Sequence, residues 1–369
     1  MSETPHHLPA NFGDFCPFLP PMAIVPPPAD RDRSPLRLLF HAACMLVIVI
    51  VWSGWTESDW PMAGPAISNP SSGPTRIDCL RSMSSNPRIA AAIRGALVAD
   101  AYSLGAHWVY DKELLKTMNI NWNGLNDPQS PWQANTGKKK GDFTHYGDQL
   151  MWLRDYIAAS KAFDVAAYRD VWKGKMATYT GYKDGASKET LQILEKDPAA
   201  TIGASSHDFS VVGRIVPLLS VASSQAEFLS MTQQLVAFTH NDAHVLAAAE
   251  YFATVLYKVA IDGAEVAETV KNTPVQDDDL SASLKKAVEG GSMDTLTAIQ
   301  TFGQPCGVGP AFPGAIHMLL HCNGDYRTAM MASAKAGGDS AARSMAVGMI
   351  LAAAGSSIPS EWENDVKNM

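Results

Sequence analysis

Cysteine is scarce in this 369-residue chain and is not arranged for structural chemistry. The five cysteines are Cys16, Cys44, Cys79, Cys306 and Cys322, an odd number at wide spacing, and no CxxC pair occurs. Disulfide-stapled domains and structural zinc sites instead bring cysteines together in short, characteristic spacings. The spacing excludes both classes, and Cys306, in GQPCGVGP, is a candidate pocket residue.

Clustered positive charge is also missing. The net charge is −8, and lysine and arginine are scattered apart from the triplet Lys138-Lys139-Lys140. A nucleic-acid-binding face needs clustered cations to neutralise phosphates, so nucleic acid is not an expected partner. The triplet is interpreted as a solvated loop tip.

Residues 1–86 lack the composition of a folded domain. They are rich in proline, and residues 36–55, LRLLFHAACMLVIVIVWSGW, form a hydrophobic segment preceded by Arg31, Arg33 and Arg37. This layout is typical of a signal-anchor or targeting segment, followed here by a linker rich in Ser, Pro and Gly up to residue 86. A membrane-anchored or targeted protein is therefore expected. The alternative is a wrong gene model, which would make the protein cytoplasmic.

The period-2 alternation of β-strands is almost absent from residues 87–369. Alanine-rich helical patterns occur instead, among them RIAAAIRGALVADAYSLGAHWVY, DAHVLAAAEYFATVLYKVAIDG and DSAARSMAVGMILAAAG, with Gly and Pro at their ends. One all-α domain is predicted over this range. Small residues such as Gly95 and Ala99 are expected at close helix contacts.

Two stretches place an aspartate directly after glycine at a predicted helix start. GDFTHYGDQLMWL is expected to open a helix at Asp148 after Gly147, and SAKAGGDSAAR places Asp339 after a glycine pair. Each aspartate can be a simple helix cap. If the two helix ends face one another, the carboxylates and free N–H groups form a polar cup for a hard cation or sugar hydroxyls. Both interpretations stay open at this point.

Further polar residues interrupt apolar helix patterns. Asp100 lies inside GALVADAYSLGAHWVYD and is interpreted as a buried carboxylate bonded to nearby backbone, since an unpaired buried charge is costly. His107 and Trp108 follow it as candidate pocket walls. Arg214, in TIGASSHDFSVVGRIVPLL, can bind a diphosphate or form a structural ion pair.

Taken in order, these pieces resemble the ADP-ribosylglycohydrolase family over about Arg88 to Trp362. GALVADAYSLGAHW is similar to its N-terminal helix, YGDQLM to its Thr-Asp-Asp-Thr-x-Met motif, and THNDAHVLAAAEYFA to its His-led middle helix. AGGDSAARSMAVGMILAAAGSSIPSEW is similar to its terminal Gly-Gly-Asp-Thr-Asp-Thr helix. The resemblance implies an ADP-ribosylglycohydrolase-like orthogonal multi-helix bundle with a cleft for ADP-ribose.

The resemblance also implies two Mg²⁺ ions in typical members, and here the chain departs from the motifs. Only one carboxylate remains in each motif, Asp148 in the first and Asp339 in the second. The motif positions that differ are Tyr146, Gly147, Gln149, Ala341 and Ala342. Two carboxylates are expected to hold at most one Mg²⁺ weakly. The pattern resembles the divergent branch that includes the J1-crystallin-like proteins.

The expected function is hydrolysis of a glycosidic bond at the ribose of an ADP-ribosyl or related nucleotide. The alternative is a catalytically inactive member that binds a ligand or serves as a structural, crystallin-like protein. Asp148 and Asp339 are the expected catalytic and metal-binding residues. The expected substrate-binding residues are His107, His145, Gln149, Arg214 and Ser340. The expected partner is an ADP-ribose-like small molecule or an ADP-ribosylated protein, with membrane contact through residues 36–55 if that segment is an anchor.

Overall fold

A computed structural model of the chain describes residues 86–369. Within this range every regular secondary-structure element is a helix. The extended residues pair there only in two isolated bridges, Val109 with Gly338 and Asp208 with Gly307. The predicted all-α class is therefore confirmed for the described residues. The predicted hydrophobic segment 36–55 and its linker lie outside them.

The helices follow one another with short connections. In chain order they are α1 (Pro87–Ser103), α2 (Lys112–Thr117), α3 (Pro131–Ala134), α4 (His145–Ser160), α5 (Val165–Thr178), α6 (Gly185–Lys196), α7 (Gln225–Ala237), α8 (Ala243–Tyr257), α9 (Val266–Asn272), α10 (Asp278–Glu289), α11 (Thr295–Phe302), α12 (Val308–His321), α13 (Tyr326–Ala336), α14 (Ser340–Ala353) and α15 (Ser360–Asp365). Three 3₁₀ helices occur at Phe209–Arg214, Val216–Ser220 and Gly290–Ser292, and α8 continues into a π turn at Lys258–Asp262.

Helices α1 and α14 cross at the centre of the core, and every residue of α14 is buried. The crossing depends on glycine at the contact. A Cβ on Gly95 would lie 2.3 Å from the carbonyl oxygen of Gly348, and one on Gly348 would lie 2.7 Å from the oxygen of Gly95. Because the two backbones touch, the N-terminus of α14 is held at a fixed position against α1. The expected role of Gly95 in close packing is confirmed.

One helix of the described range has the length and apolar composition that a membrane span requires. It runs from Ala243 to Asp262, and 56% of its most apolar window is buried inside the protein. Core helices of proteins outside membranes pass the same test, so this is weak support for a span. The finding does not bear on residues 36–55.

Candidate active site

The glycine pair before α14 allows two loops to touch at Asp339. Gly337 and Gly338 have φ angles of 79° and 67°, in the left-handed region that favours glycine. A Cβ on Gly338 would lie 2.4 Å from the carbonyl oxygen of Gln304, so a side chain there would push the 304–306 segment away. The Asp339 backbone N–H donates to the same oxygen at 2.9 Å. The pair therefore brings the 304–306 segment against the start of α14.

Asp339 is the N-cap of α14, and its carboxylate also has partners beyond the cap. Its Oδ1 accepts from the Ala342 N–H at 3.0 Å, which confirms the predicted cap. Its Oδ2 accepts from Tyr146 Oη at 2.8 Å and from Trp108 Nε1 at 3.4 Å. Burial raises the pKa of Tyr146 well above its usual value, so its hydroxyl stays a donor. Asp339, itself fully buried, therefore joins α4 and the loop after α1 to the start of α14.

Asp208 and Cys306 lie beside Asp339. One oxygen of each carboxylate and the Cys306 Sγ all lie within 4.8 Å of one another. Burial, followed by the negative charge of Asp339, raises the pKa of Asp208 to about 7. The Asp208 carboxyl is therefore close to the midpoint of its titration at neutral pH, whereas ordinary aspartates are ionised there.

Helix α4 begins earlier than the sequence predicts. Thr144 is its N-cap, with Oγ1 accepting from the Tyr146 N–H at 3.1 Å, so the helix starts at His145. The expectation that Asp148 opens the helix is wrong, and Asp148 lies in the first turn. Gly147 lies inside the first turn of α4 and does not mark its boundary.

Asp148 is held by a cation and a phenol. Its Oδ2 lies 2.5 Å from Lys138 Nζ and accepts from Tyr179 Oη at 2.5 Å. The Lys138 and Asp148 side chains are only 15% and 18% exposed, so the interpretation of the triplet as a solvated loop tip is wrong for Lys138. Both residues line a cavity of about 310 Å³ together with Trp152.

The two motif aspartates have separate sets of partners. Among the described residues, no hydrogen bond or ion pair joins Asp148 to Asp339, and Tyr146 contacts Asp339 from the same helix that carries Asp148. A larger cavity of about 650 Å³ lies elsewhere, lined by Met293, His321 and others, and includes neither aspartate. The roles predicted for Asp148 and Asp339 stay predictions. Asp148 lies in the first turn of α4, and Asp339 is the N-cap of α14.

His145, Gln149 and Arg214 occupy the buried region behind α4. His145 Nε2 lies 3.3 Å from Asp184 Oδ2. Gln149 Oε1 accepts from Arg214 Nη1 and from Trp172 Nε1, the latter at 2.9 Å. Arg214 Nε and Nη2 have no hydrogen-bond partner among the described residues. Gln149 therefore orients the guanidinium of Arg214 and leaves two of its nitrogens available.

An aromatic wall separates these groups from solvent. Trp108, with φ at 63°, stacks on His107 at 4.4 Å between ring centroids and meets the edge of Tyr182 at 4.8 Å. Burial lowers the pKa of His107 to about 3, so its ring is neutral, and its Nδ1 lies 3.5 Å from Asp339 Oδ1. Ser340 is buried with its hydroxyl unpartnered within the described range. Of the substrate-binding residues predicted from sequence, His107 and Ser340 thus lie at Asp339. His145 contacts Trp108 beside them, whereas Gln149 and Arg214 lie behind α4.

Three residues of the site gave no usable signal in the sequence. Asp184 follows a lysine at the start of α6 and looks like any other helix cap, a role that it also has. Lys138 and Tyr179 reach Asp148 from loops, and loop geometry cannot be read from periodicity. These residues could be recognised only once the tertiary fold brought them to α4.

The sequence profile of the family described as ADP-ribosylglycohydrolase matches residues 82–368. The chain belongs to the ADP-ribosylglycohydrolase family. A solved structure titled "ADP-ribosylglycohydrolase-related protein complex" superposes with a TM-score of 0.57 at 18% identity, covering 78% of this chain and 93% of that chain. This likeness confirms the predicted ADP-ribosylglycohydrolase-like fold.

Two curated relatives come from the organism Tripedalia cystophora. Crystallin J1A is 26% identical over 297 residues, and Crystallin J1B is 27% identical over 297 residues. Each alignment covers 74% of this chain and 90% of the relative. The resemblance to the J1-crystallin-like branch is confirmed.

Gly147, where the chain departs from the ADP-ribosylglycohydrolase motif, lies directly against Asp100. A Cβ on Gly147 would lie 2.3 Å from Asp100 Oδ2. Asp100 in turn accepts from the Thr144 N–H at 2.7 Å and from Thr144 Oγ1 at 2.6 Å. Burial raises the pKa of Asp100 to about 7, against the lowering effect of both bonds from Thr144. In this chain Gly147 leaves the space that the Asp100 carboxylate occupies, and the prediction of Asp100 as a buried, bonded group is confirmed.

Proposed function

We propose that the chain hydrolyses a glycosidic bond at the ribose of an ADP-ribosyl or related nucleotide. The observation that carries the proposal is the pair of carboxyl groups of the half-buried Asp208 and the buried Asp339, with oxygens within 4.8 Å of one another. Glycoside hydrolysis uses such pairs because its transition state carries positive charge at the anomeric carbon. The family to which the chain belongs is named for an activity of this class.

The two carboxyl groups divide the work according to their environment. Asp339 accepts hydrogen bonds from Tyr146 and Trp108, which fix its carboxylate where it stabilises the oxocarbenium-like centre. Asp208 supplies the proton to the leaving group as the bond from the anomeric carbon breaks. A water molecule then adds to that carbon and gives its proton back to Asp208. All protons are accounted for within this cycle.

The surrounding residues suit the remaining parts of an ADP-ribosyl ligand. The face of Trp108 offers a stacking surface for an adenine or a ribose. Lys138 compensates the charge of Asp148 at the other end of the motif.

A pair of Mg²⁺ ions is not part of this proposal, because the residues present do not fit it. Gly147, Ala341 and Ala342 offer no side-chain ligand, and Asp148 already pairs with an ammonium group. Mg²⁺ needs near-octahedral oxygen coordination. The expectation of at most one weakly bound ion remains to be tested by titration.

A second candidate function is ligand binding or a structural role without catalysis. It is supported by two contacts, since Lys138 pairs with Asp148 and Tyr146 donates a hydrogen bond to Asp339. It is also supported by relatives that are named crystallins. The two candidates differ in turnover but share the cleft. Both are compatible with an ADP-ribose-like ligand.

The decisive experiment is release of ADP-ribose from arginine-linked and serine-linked ADP-ribosyl peptides, measured with EDTA present. We expect turnover that falls at least a hundredfold in Asp208→Asn and in Asp339→Asn. Asp325→Asn is the matched control, because Asp325 is the exposed cap of α13 and lies outside the cleft. If ADP-ribose raises the melting temperature but no peptide is hydrolysed, the non-catalytic candidate is correct.

A further inference from the structure

Asp208, Cys306 and Asp339 place two carboxylates and one thiol around a single point. Their ligand atoms lie within 4.8 Å of one another, although the three residues come from three separate segments of the chain. We propose that these three residues bind one thiophilic divalent ion of the Zn²⁺ class, at a point next to the buried ring of His107. The site differs from a magnesium site both in its residues and in the metal that it would select.

The three donors are held in place by backbone hydrogen bonds between their segments. The Phe209 N–H donates to the Cys306 oxygen at 2.8 Å, and the Val308 N–H donates to the His207 oxygen at 2.9 Å. The Asp339 N–H donates to the Gln304 oxygen at 2.9 Å. The side chains are therefore brought together before any ligand binds, which reduces the entropy lost on binding.

His107 is the independent sign that a ligand belongs here. Its side chain is fully buried, and neither ring nitrogen has a hydrogen-bond partner among the described residues. Its Nδ1 nevertheless lies 3.5 Å from Asp339 Oδ1. A buried polar group without a partner costs free energy, and coordination to a cation shared with Asp339 would recover it.

The donor set decides the class of metal. Thiolate and imidazole ligands favour Zn²⁺ and similar ions, whereas Mg²⁺ takes carboxylate, carbonyl and water oxygens. Two carboxylates that face one another repel, and a divalent cation between them removes that repulsion. Three converging donors of the types Asp, Cys and Asp leave one position of a tetrahedral Zn²⁺ site for a water molecule or for the neighbouring His107 ring.

Metal binding and hydrolysis make different demands on the same carboxyl pair. An ion bound to Asp208 takes the place of the proton that this residue would transfer. The metal-loaded and proton-loaded forms are thus alternative states of the site. The proposal rests on the geometry of the cluster and not on turnover, so a failure to detect hydrolysis would leave it intact.

The test is a titration of the reduced, untagged full-length chain with Co²⁺, a spectroscopic substitute for Zn²⁺. We expect one Co²⁺ per chain with a thiolate-to-cobalt charge-transfer band in the near ultraviolet, displaced by Zn²⁺. The band should be lost in Cys306→Ser and retained in Cys322→Ser, the matched control from outside the cluster. A wild-type chain without the band, or a band that persists in Cys306→Ser, overturns the proposal.

Carboxylate variants give a second, independent measurement. Zn²⁺ should raise the melting temperature of the wild type and of Asp325→Asn, and at least tenfold more Zn²⁺ should be needed for the same rise in Asp208→Asn. Melting curves without metal show whether each variant is folded. An undiminished response in folded Asp208→Asn would place the ion elsewhere and overturn the assignment.

Discussion

Tyr146 Oη donates a 2.8 Å hydrogen bond to Asp339 Oδ2 and so joins the first turn of α4 to the cap of α14. Tyr146 stands at the position where the family motif has its first threonine. Its phenol reaches the carboxylate of the other motif directly. The two halves of the motif thus meet through a protein hydrogen bond, and this contact underlies the first two predictions.

Replacing Tyr146 by phenylalanine should destabilise the protein through loss of this bond. A hydrogen bond to a charged acceptor contributes about 1.5–3 kcal/mol, more than a neutral one. Tyr102→Phe is the control, since Tyr102 donates to the backbone oxygen of Trp122 at 2.8 Å. Urea denaturation should give a larger loss of unfolding free energy for Tyr146→Phe. An equal or smaller loss would show that Asp339 is not held through its charge.

Asp339→Asn tests whether the aspartate is more than a cap. Asparagine caps helices about as well as aspartate but removes the charged acceptor of the Tyr146 bond, so the unfolding free energy should fall by about 1–2 kcal/mol. The negative charge at the ribose would be lost, and ADP-ribose should bind at least tenfold more weakly, about 1.4 kcal/mol. Isothermal titration with Asp325→Asn as the matched cap variant checks this. Undiminished binding would make Asp339 a cap alone.

Mg²⁺ should bind weakly and with a stoichiometry no greater than one per chain. Lys138 neutralises Asp148, so Lys138→Met should increase the affinity for Mg²⁺ at least threefold by removing a competing cation. Lys139→Met is the control, because the neighbouring Lys139 side chain is exposed. Calorimetric titration measures both the stoichiometry and the affinity of Mg²⁺ binding. Tight binding of two ions by the wild type would contradict the expected loss of ligands.

The stability of the protein should depend on pH through Asp100. Because its pKa is raised from 3.8 to about 7 in the folded state, the folded protein binds more protons than the unfolded chain between these values. The contribution of this group therefore weakens as pH rises from about 4 to about 7, by up to about 4 kcal/mol.

Asp100→Asn removes that dependence. The unfolding free energy of the variant minus that of the wild type should be about 1–3 kcal/mol more positive at pH 8 than at pH 5. This range allows for the altered hydrogen bonds from Thr144 in the variant. The buried histidines titrate in both proteins, so they cancel in the difference. Urea denaturation at the two pH values measures it. A difference that does not change with pH would show that Asp100 is ionised throughout.

The N-terminal segment gives a prediction that rests on sequence alone. The apolar run at residues 36–55, preceded by arginines, should carry the full-length chain into the membrane fraction or be cleaved after it. Deletion of residues 36–55 should return the chain to the soluble fraction. A full-length chain that stays soluble and uncleaved would favour a faulty gene model.

The sequence by itself determined the helical class, the family and the cap at Asp339. These depend on local properties, namely the 3.6-residue period, the glycine pair before Asp339 and the capping oxygen of that aspartate. Asp242 is a second aspartate that caps the helix directly following it, with its side chain accepting from the His244 and Val245 N–H groups. Each such feature involves residues a few positions apart, so the residue pattern is enough to reveal it.

The contacts that define the candidate site were decided only by the tertiary structure. Lys138 reaches Asp148 from a loop, and Asp208 and Cys306 meet Asp339 although the three lie far apart in the chain. The same residue types occur at many exposed positions without these partners. Which of them meet depends on the close crossing of α1 and α14 and on the backbone bonds between loops, because side-chain contacts across the core follow from packing and not from local periodicity.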